Sequence, residues 1–161
     1  MVLGMSLSAF TTLHVVISLI GIATGLVVLG GMLKAKPLPL WTLVFLVSTA
    51  LTSLTGYLFP AEKILPSHIV GGISLAMLAI AFLARYLFRM SGKWRAIYVV
   101  TAVISLYLNV FVLVVQSFHK IPALHQLAPT DSEPPFAIAQ LSVLIVFAVL
   151  GFFSFRRFHP K

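Results

Sequence analysis

The stretch SAFTTLHVVISLIGIATGLVVLGGML, residues 8–33, decides the fold class of this chain. It contains no Asp, Glu, Lys or Arg, and it exceeds the roughly 20 apolar residues that a helix needs to cross a bilayer. The residues before it include no Lys or Arg, so the run lacks the basic start of a signal peptide. It therefore predicts a transmembrane helix that stays in the mature protein.

Four more apolar runs follow, separated by proline, glycine and basic residues. We place the five predicted spans at residues 8–33, 40–59, 66–88, 95–118 and 135–155. Only 9% of the 161 residues are charged and 60% are hydrophobic, whereas soluble domains are about 25% charged. The sequence thus predicts an all-α, polytopic membrane helix bundle, with residues 1–161 forming a single domain surrounded by the lipid bilayer.

The basic residues predict the orientation of the bundle. Nine of the eleven Lys and Arg fall on one side of the predicted spans: Lys34, Lys36, Arg85, Arg89, Lys93, Arg95, Arg156, Arg157 and Lys161. Because Lys and Arg are enriched in cytoplasmic loops, this side is predicted to be cytoplasmic, with the N-terminus outside and the C-terminus inside. The connection at residues 119–134, which contains three prolines, is expected to form a cap over the outer end.

Charge and composition also exclude some functions. The formal net charge is +8, but the basic residues are spread between apolar runs and do not form a groove-binding patch, so no nucleic-acid partner is expected. The absence of cysteine excludes disulfides, thiolate metal sites and thiol catalysis. No serine–histidine–acid or metalloprotease motif is present, so no catalytic residue is predicted.

Four of the five histidines are predicted at the outer end, together with all three acidic residues. The histidines are His14, His68, His119 and His125, and the acids are Glu62, Asp131 and Glu133. At helical spacing, small residues follow the two histidines that lie inside spans: Ser18, Gly21 and Gly25 after His14, and Gly72, Ala76 and Ala79 after His68. Small residues mark close helix packing in membranes, so both histidines are predicted to point into the bundle.

This arrangement predicts a haem site. The first and third spans would be diagonal in an up-down bundle, with axes roughly 13–14 Å apart if neighbouring helices are about 9–10 Å apart. Two imidazoles, His14 and His68, can ligate the iron of one haem b across that gap. The small residues below would make room for the ring, and the outer cations Lys63 and Lys120 would pair with its propionates.

A transition metal is the alternative cofactor. Zinc or copper favours imidazole and carboxylate ligands. His14 or His68 would then share the ion with His119, His125 or Glu62. The functional prediction is a membrane-embedded haem- or metal-binding protein with its histidine site at the outer face, acting in electron transfer or cofactor handling.

Three other interpretations remain open. The histidines can serve only as hydrogen-bonding packing residues. The chain can be an accessory subunit that docks a larger membrane complex, or that forms a homo-oligomer, through small-residue faces such as Gly21 and Gly25. It can also transport a small solute or protons along a polar stripe on the fourth span, which comprises Thr101, Ser105, Asn109 and Gln116. That route has few polar residues in its cytoplasmic half.

Several stretches resemble a group of small bacterial inner-membrane proteins without an assigned activity. The similar stretches run from Tyr98 to Asn109 and from His119 to Gln140, including PTDSEPPF at residues 129–136, and LPSH at residues 65–68 also fits. The resemblance extends over most of the chain and implies a multi-pass protein of the bacterial inner membrane. The chain departs from four-helix dihaem cytochromes, because no span carries a histidine toward its cytoplasmic end, so at most one haem is expected.

Overall fold

The computed structural model describes residues 1–161, which form helices and no β-sheet. The helices are α1 (Leu7–Leu33), α2 (Pro39–Gly56), α3 (Pro66–Phe82), α4 (Trp94–Lys120), α5 (Pro122–Leu127) and α6 (Pro134–Arg157). A single π-helical turn, Leu83–Leu87, extends α3. With that turn included, five helices are long and apolar enough to cross a membrane. This confirms the predicted all-helical, multi-pass fold.

When the π-helical turn is counted as part of α3, the ends of the helices differ from those of the predicted spans by at most three residues. α2 ends at Gly56, because the amides of Tyr57 and Leu58 bond to the carbonyls of Leu54 and Thr55 and close a turn instead of continuing the helix. α4 continues to Lys120, and α5 begins almost at once with Pro122. The connection predicted at residues 119–134 is therefore partly helical.

Proline and a serine cap mark the helix starts. The Ser6 side chain accepts a hydrogen bond from the Ala9 amide and caps α1. Four helices begin with a proline within their first two positions: α2, α3, α5 and α6. Proline suits this position because its fixed φ matches the helix and the first amides need no partner within the helix.

α4 is the central helix of the bundle. It packs against α1, α2, α3, α5 and α6, and α1 packs against α2, α4 and α6. α3 packs against α2 and α4 but has no packed interface with α1, so α1 and α3 are diagonal, as the sequence predicted. The apolar core follows this order, with Phe45 and Leu46 of α2 and Leu106 of α4 almost fully buried.

The two ends of the bundle differ in chemistry. At the end that we call the histidine end, α1, α3 and α6 begin and α2 and α4 end. At the opposite end, the arginine end, two guanidinium groups bond to backbone carbonyls. Arg85 donates to Pro37, and Arg95 donates to Phe155 and Phe158. These bonds tie the starts of α2 and α4 to neighbouring helix ends.

The glycines of α1 lie where this helix comes closest to α2 and α4. A Cβ atom at Gly25 would lie 2.5 Å from Cδ1 of Leu106 and 2.9 Å from the ring of Phe45. At Gly21 it would lie 3.1 Å from Oγ1 of Thr49. Gly30, on the same helix, has no atom within 4 Å of such a position. The predicted small-residue stripe on α1 is thus a helix contact inside the bundle.

We expect Gly25→Ala to destabilise the protein, because overpacking a close contact costs about 1–3 kcal/mol. Gly30→Ala is the matched control, and it should be neutral or stabilising by about 0.5–1 kcal/mol, since alanine is the better helix former. Thermal unfolding in detergent, followed by helical circular dichroism, measures both. Equal melting temperatures for the two variants would show that α1 does not approach α2 and α4 this closely.

Candidate functional site

His14 lies on α1, two turns from its start, and contacts the end of α2. Its Nδ1 is 2.7 Å from Oγ1 of Thr55, and its ring meets the Phe59 ring edge-on at 5.1 Å between centroids. The Thr55 hydroxyl donates its one hydrogen to the Leu51 carbonyl at 2.7 Å. With the hydroxyl hydrogen assigned to Leu51, Thr55 accepts from Nδ1–H of His14, and Nε2 of the neutral ring then carries a free lone pair. No protein group bonds to this Nε2.

His68 has the opposite arrangement of its ring nitrogens. It lies in the first turn of α3, where its Nδ1 accepts a hydrogen bond of 3.0 Å from the Leu65 amide. In the neutral ring the hydrogen is therefore on Nε2, which makes His68 a donor. The ring stacks on Tyr57 with an interplanar angle of 14° and centroids 5.4 Å apart. To ligate a metal, His68 would have to give up its bond to Leu65.

The space beneath the two histidines is filled by side chains of this chain. Thr49 and Asn109 lie against Gly21, and Phe45 and Leu106 lie against Gly25. On α3, a Cβ atom at Gly72 would lie 3.0 Å from the Tyr57 hydroxyl. The small residues of α1 therefore accommodate neighbouring helices, and the room that the sequence predicted there for a haem ring is occupied. The stripe on α3 is different, because Gly72, Ala76 and Ala79 are exposed, and the prediction that these three residues pack against another helix was wrong.

The other predicted site residues lie near the surface of the histidine end. His119 is exposed, and its Nε2 bonds to Oδ2 of Asp131 at 2.5 Å. The remaining ones, His125, Glu62, Lys63 and Lys120, are exposed and make no side-chain hydrogen bond or ion pair. No three His, Asp or Glu side chains come close enough together to hold a metal ion.

The register of α1 against α4 gives the relative depth of two of the histidines. Ser18 donates a hydrogen bond of 3.1 Å to Oδ1 of Asn109, so these two residues lie at one level. His14 lies four residues from Ser18 toward the histidine end, and His119 lies ten residues from Asn109 in the same direction. At 1.5 Å per residue, His119 is therefore about 9 Å nearer that surface than His14. The two histidines are therefore at different depths, and no group of three His, Asp or Glu side chains joins them around one ion.

Three residues of the polar stripe of α4, Thr101, Ser105 and Asn109, are buried, whereas Gln116 is exposed. Thr101 and Ser105 donate to the carbonyls of Ile97 and Thr101, at 2.7 and 2.8 Å. Asn109 is the exception, because it bonds across to Ser18 while its Nδ2 has no partner. Most of this stripe therefore serves helix packing, and a single cross-helix bond joins it to α1.

The connection between α4 and α6 lies at the histidine end, where α5 packs against α4. We call residues 121–133 the cap segment. His119 binds Asp131, and the carboxylate of Glu133 accepts bonds from the Thr130 hydroxyl and from the amides of Thr130 and Ser132. Desolvation raises the pKa of Glu133, but these hydrogen bonds together lower it by more, so it lies below its usual value.

Sequence reasoning did not identify three partners in this region: Thr55 for His14, Tyr57 for His68 and Asp131 for His119. The sequence gives no signal for the stacking of Tyr57 on His68. Threonine near a helix end gives no sequence signal for its partner. Asp131 is separated from His119 by the prolines of the cap segment, so its position depends on how that segment folds.

Comparisons with protein-family models, with curated proteins and with solved structures returned no match to this chain.

We expect the cap segment to loosen in acid. Because the folded-state pKa of Glu133 is depressed, its stabilising bonds are fully present above the usual value of 4.5 and are lost as the pH falls through the folded-state value. The backbone NMR signals of Thr130 and Ser132 should shift together below pH 4.5. Glu133→Gln should abolish this titration, whereas Glu62→Gln, at an exposed carboxyl, should leave it intact. An unchanged titration in Glu133→Gln would contradict the assignment.

Proposed function

We propose that this protein is a membrane-embedded haem- or metal-binding protein that takes part in electron transfer, with His14 as its first ligand. The observation that supports this is the orientation of the His14 ring. Its Nδ1–H is held by Thr55, and its half-buried Nε2 is left with a lone pair and no protein partner. Histidines that ligate metals generally have their second ring nitrogen held in this way.

The ligand is a haem or a transition metal that takes one protein nitrogen. A haem needs only one proximal histidine, so His14 alone suffices for a five-coordinate iron. His68 would join as a second ligand only after losing its bond to Leu65. Lys63 and Lys120, the cations of the histidine end, would pair with the propionates, since both are exposed and unpaired. For a bare ion, His119, His125 or Glu62 would have to move toward His14, because no three His, Asp or Glu side chains lie close enough together to hold a metal ion.

Side chains fill the space beneath His14, and this restricts the position that a haem could take. The ring would have to sit above Gly21 and Gly72, near the surface of the histidine end. Gly56 borders His14 there, and its only close neighbour is Cε1 of that ring, at 3.9 Å from a built Cβ position. Phe10 and Phe59, whose ring centroids are 4.9 Å apart, would form an apolar side of such a site.

The spectrum of the purified protein, oxidised and then reduced, tests this proposal. A Soret band should be present in the wild type after addition of haemin, and it should be lost in His14→Ala. Thr55→Val, which removes the acceptor for Nδ1–H, should weaken haem affinity by about 10–100-fold. His159→Ala, at the arginine end, is the control and should bind as the wild type does.

His68→Ala distinguishes the two possible coordination states. If His14 is the only protein ligand, this variant keeps the band. If both His68→Ala and His14→Ala lose the Soret band, the iron has two histidine ligands, as the sequence predicted. No band, together with no stoichiometric metal by elemental analysis, would refute the proposal and make His14 a packing residue.

We propose further that the histidine end faces the outside of a bacterial inner membrane, and that the C-terminus is cytoplasmic. Nine of the eleven Lys and Arg flank the arginine end, as the positive-inside tendency requires. An electron-transfer site at the histidine end would then serve reactants outside the cytoplasm.

The chain has no cysteine, which makes single-cysteine labelling a clean test of orientation. In intact cells, Glu62→Cys and Ser132→Cys should react with an impermeant maleimide. Ser91→Cys, in the short connection at the arginine end, should react only after the membrane is permeabilised. The reverse pattern would show that the histidine end is cytoplasmic.

A further inference from the structure

A cleft of about 310 Å³ opens at the histidine end between the end of α2 and the start of α3. It is lined by Tyr57, Ile64, His68 and Ile69. His14 is not among these residues, so the cleft is separate from the ligand position discussed above. Its size is at the lower end of the range for small-molecule sites, about 300–1,000 Å³.

One polar donor characterises this cleft. Because Nδ1 of His68 accepts from the Leu65 amide, the Nε2–H of the neutral ring is available and has no acceptor in the protein. At the edge of a bilayer such a donor gains most from an uncharged oxygen acceptor that can approach from the lipid side. The lining of the cleft contains no carboxylate and no ammonium group. It therefore has no group that would select a ligand with a charged head group.

The aromatic wall of the cleft is held in place before any ligand arrives. The Tyr57 hydroxyl donates to the carbonyl of His68 at 2.5 Å, and the two rings are nearly parallel. Tyr57 also lies against the backbone of α3, where Cβ positions at Gly71 and Gly72 would be 3.3 and 3.0 Å from it. The His68 ring is held by its stacking on Tyr57 and by the bond from the Leu65 amide, which lowers the cost of binding.

Two apolar side chains flank this wall. Ile64 is 79% exposed and Ile69 is 60% exposed, and both border the cleft beside the His68 ring. Isoleucines at this position match an alkyl or isoprenoid chain that enters from the bilayer. The cleft thus combines one hydrogen-bond donor, a flat aromatic wall and an apolar border.

We propose that this cleft binds a membrane amphiphile with a carbonyl head and an apolar tail, through a hydrogen bond from Nε2–H of His68. Two sources supply this chemistry, a quinone and the ester group of a phospholipid. The cleft does not contain His14, the first ligand proposed above, but it does contain His68, the possible second ligand. Its occupancy is therefore independent of a haem held by His14 alone, and a bound quinone would be a suitable electron-transfer partner for that site.

The test is a binding titration of the full-length protein in detergent, without added haem. The probes are a benzoquinone with a ten-carbon tail, a diacyl phospholipid with ester linkages and its ether-linked analogue, which lacks the carbonyls. The ¹⁵N NMR signals of the His68 imidazole report the contact directly. We expect the Nε2 signal to shift with the quinone or with the ester lipid, and not with the ether lipid.

Two variants separate binding from folding. His68→Asn keeps an oxygen that can accept from the Leu65 amide but removes the imidazole donor, and it should weaken binding at least tenfold. Ile64→Ser, at an exposed position, should weaken it a few-fold with no change in thermal stability. His125→Asn, at an exposed histidine of the same end, is the matched control and should bind normally, as should His14→Ala.

Each result of the titration either supports the proposed binding at the cleft or contradicts it. A response to the quinone alone, or to the ester lipid alone, supports the proposal and identifies the source. A response to the ether lipid equal to that of the ester lipid would overturn it, because the carbonyl would then be irrelevant. Unchanged affinity in His68→Asn, or no shift with any probe, would overturn it as well. None of these results depends on whether the protein binds haem.

Discussion

The close approach of α1 to α2 and α4 at Gly25 is the contact on which the rest of the bundle depends. No side chain larger than hydrogen fits between this backbone and the side chains of Phe45 and Leu106. This contact fixes the register of α1 against its neighbours. About two turns further along α1, Ser18 bonds to Asn109. The same register brings His14 level with the end of α2. The chemistry of the histidine end is therefore a consequence of apolar packing deeper in the bundle.

The spans could be predicted closely from the sequence, because lipid requires long uninterrupted apolar helices whose backbone bonds are internal. The diagonal position of α1 and α3 followed from the same up-down reasoning. The helix ends were less predictable. The end of α2 at Gly56 depends on a turn that Tyr57 closes by packing on α3, and this long-range contact has no signal in the local sequence.

The candidate site could be predicted only in part, for a related reason. The sequence placed His14 and His68 at one end of the bundle, and the small residues after His14 correctly indicated close helix packing. The same pattern after His68 was misleading, because those small residues are exposed. It could not show that Thr55 and Tyr57 would fill the positions beside the two rings. Which ring nitrogen carries the hydrogen depends on a single neighbouring donor or acceptor, and in His14 and His68 those neighbours have opposite effects. Two similar histidines thus present different free groups, a lone pair in His14 and an N–H donor in His68, and residue type alone does not encode this difference.

The unequal lengths of α1 and α2 bear on the membrane itself. α1 has 27 residues and α2 has 18, so at 1.5 Å per residue they measure about 40 and 27 Å, beside a hydrocarbon layer of about 30 Å. The two helices pack side by side and cannot tilt independently to match one thickness. The two neighbours therefore favour different bilayer thicknesses. α1 is long enough to extend beyond the hydrocarbon layer, whereas α2 favours a slightly thinner one.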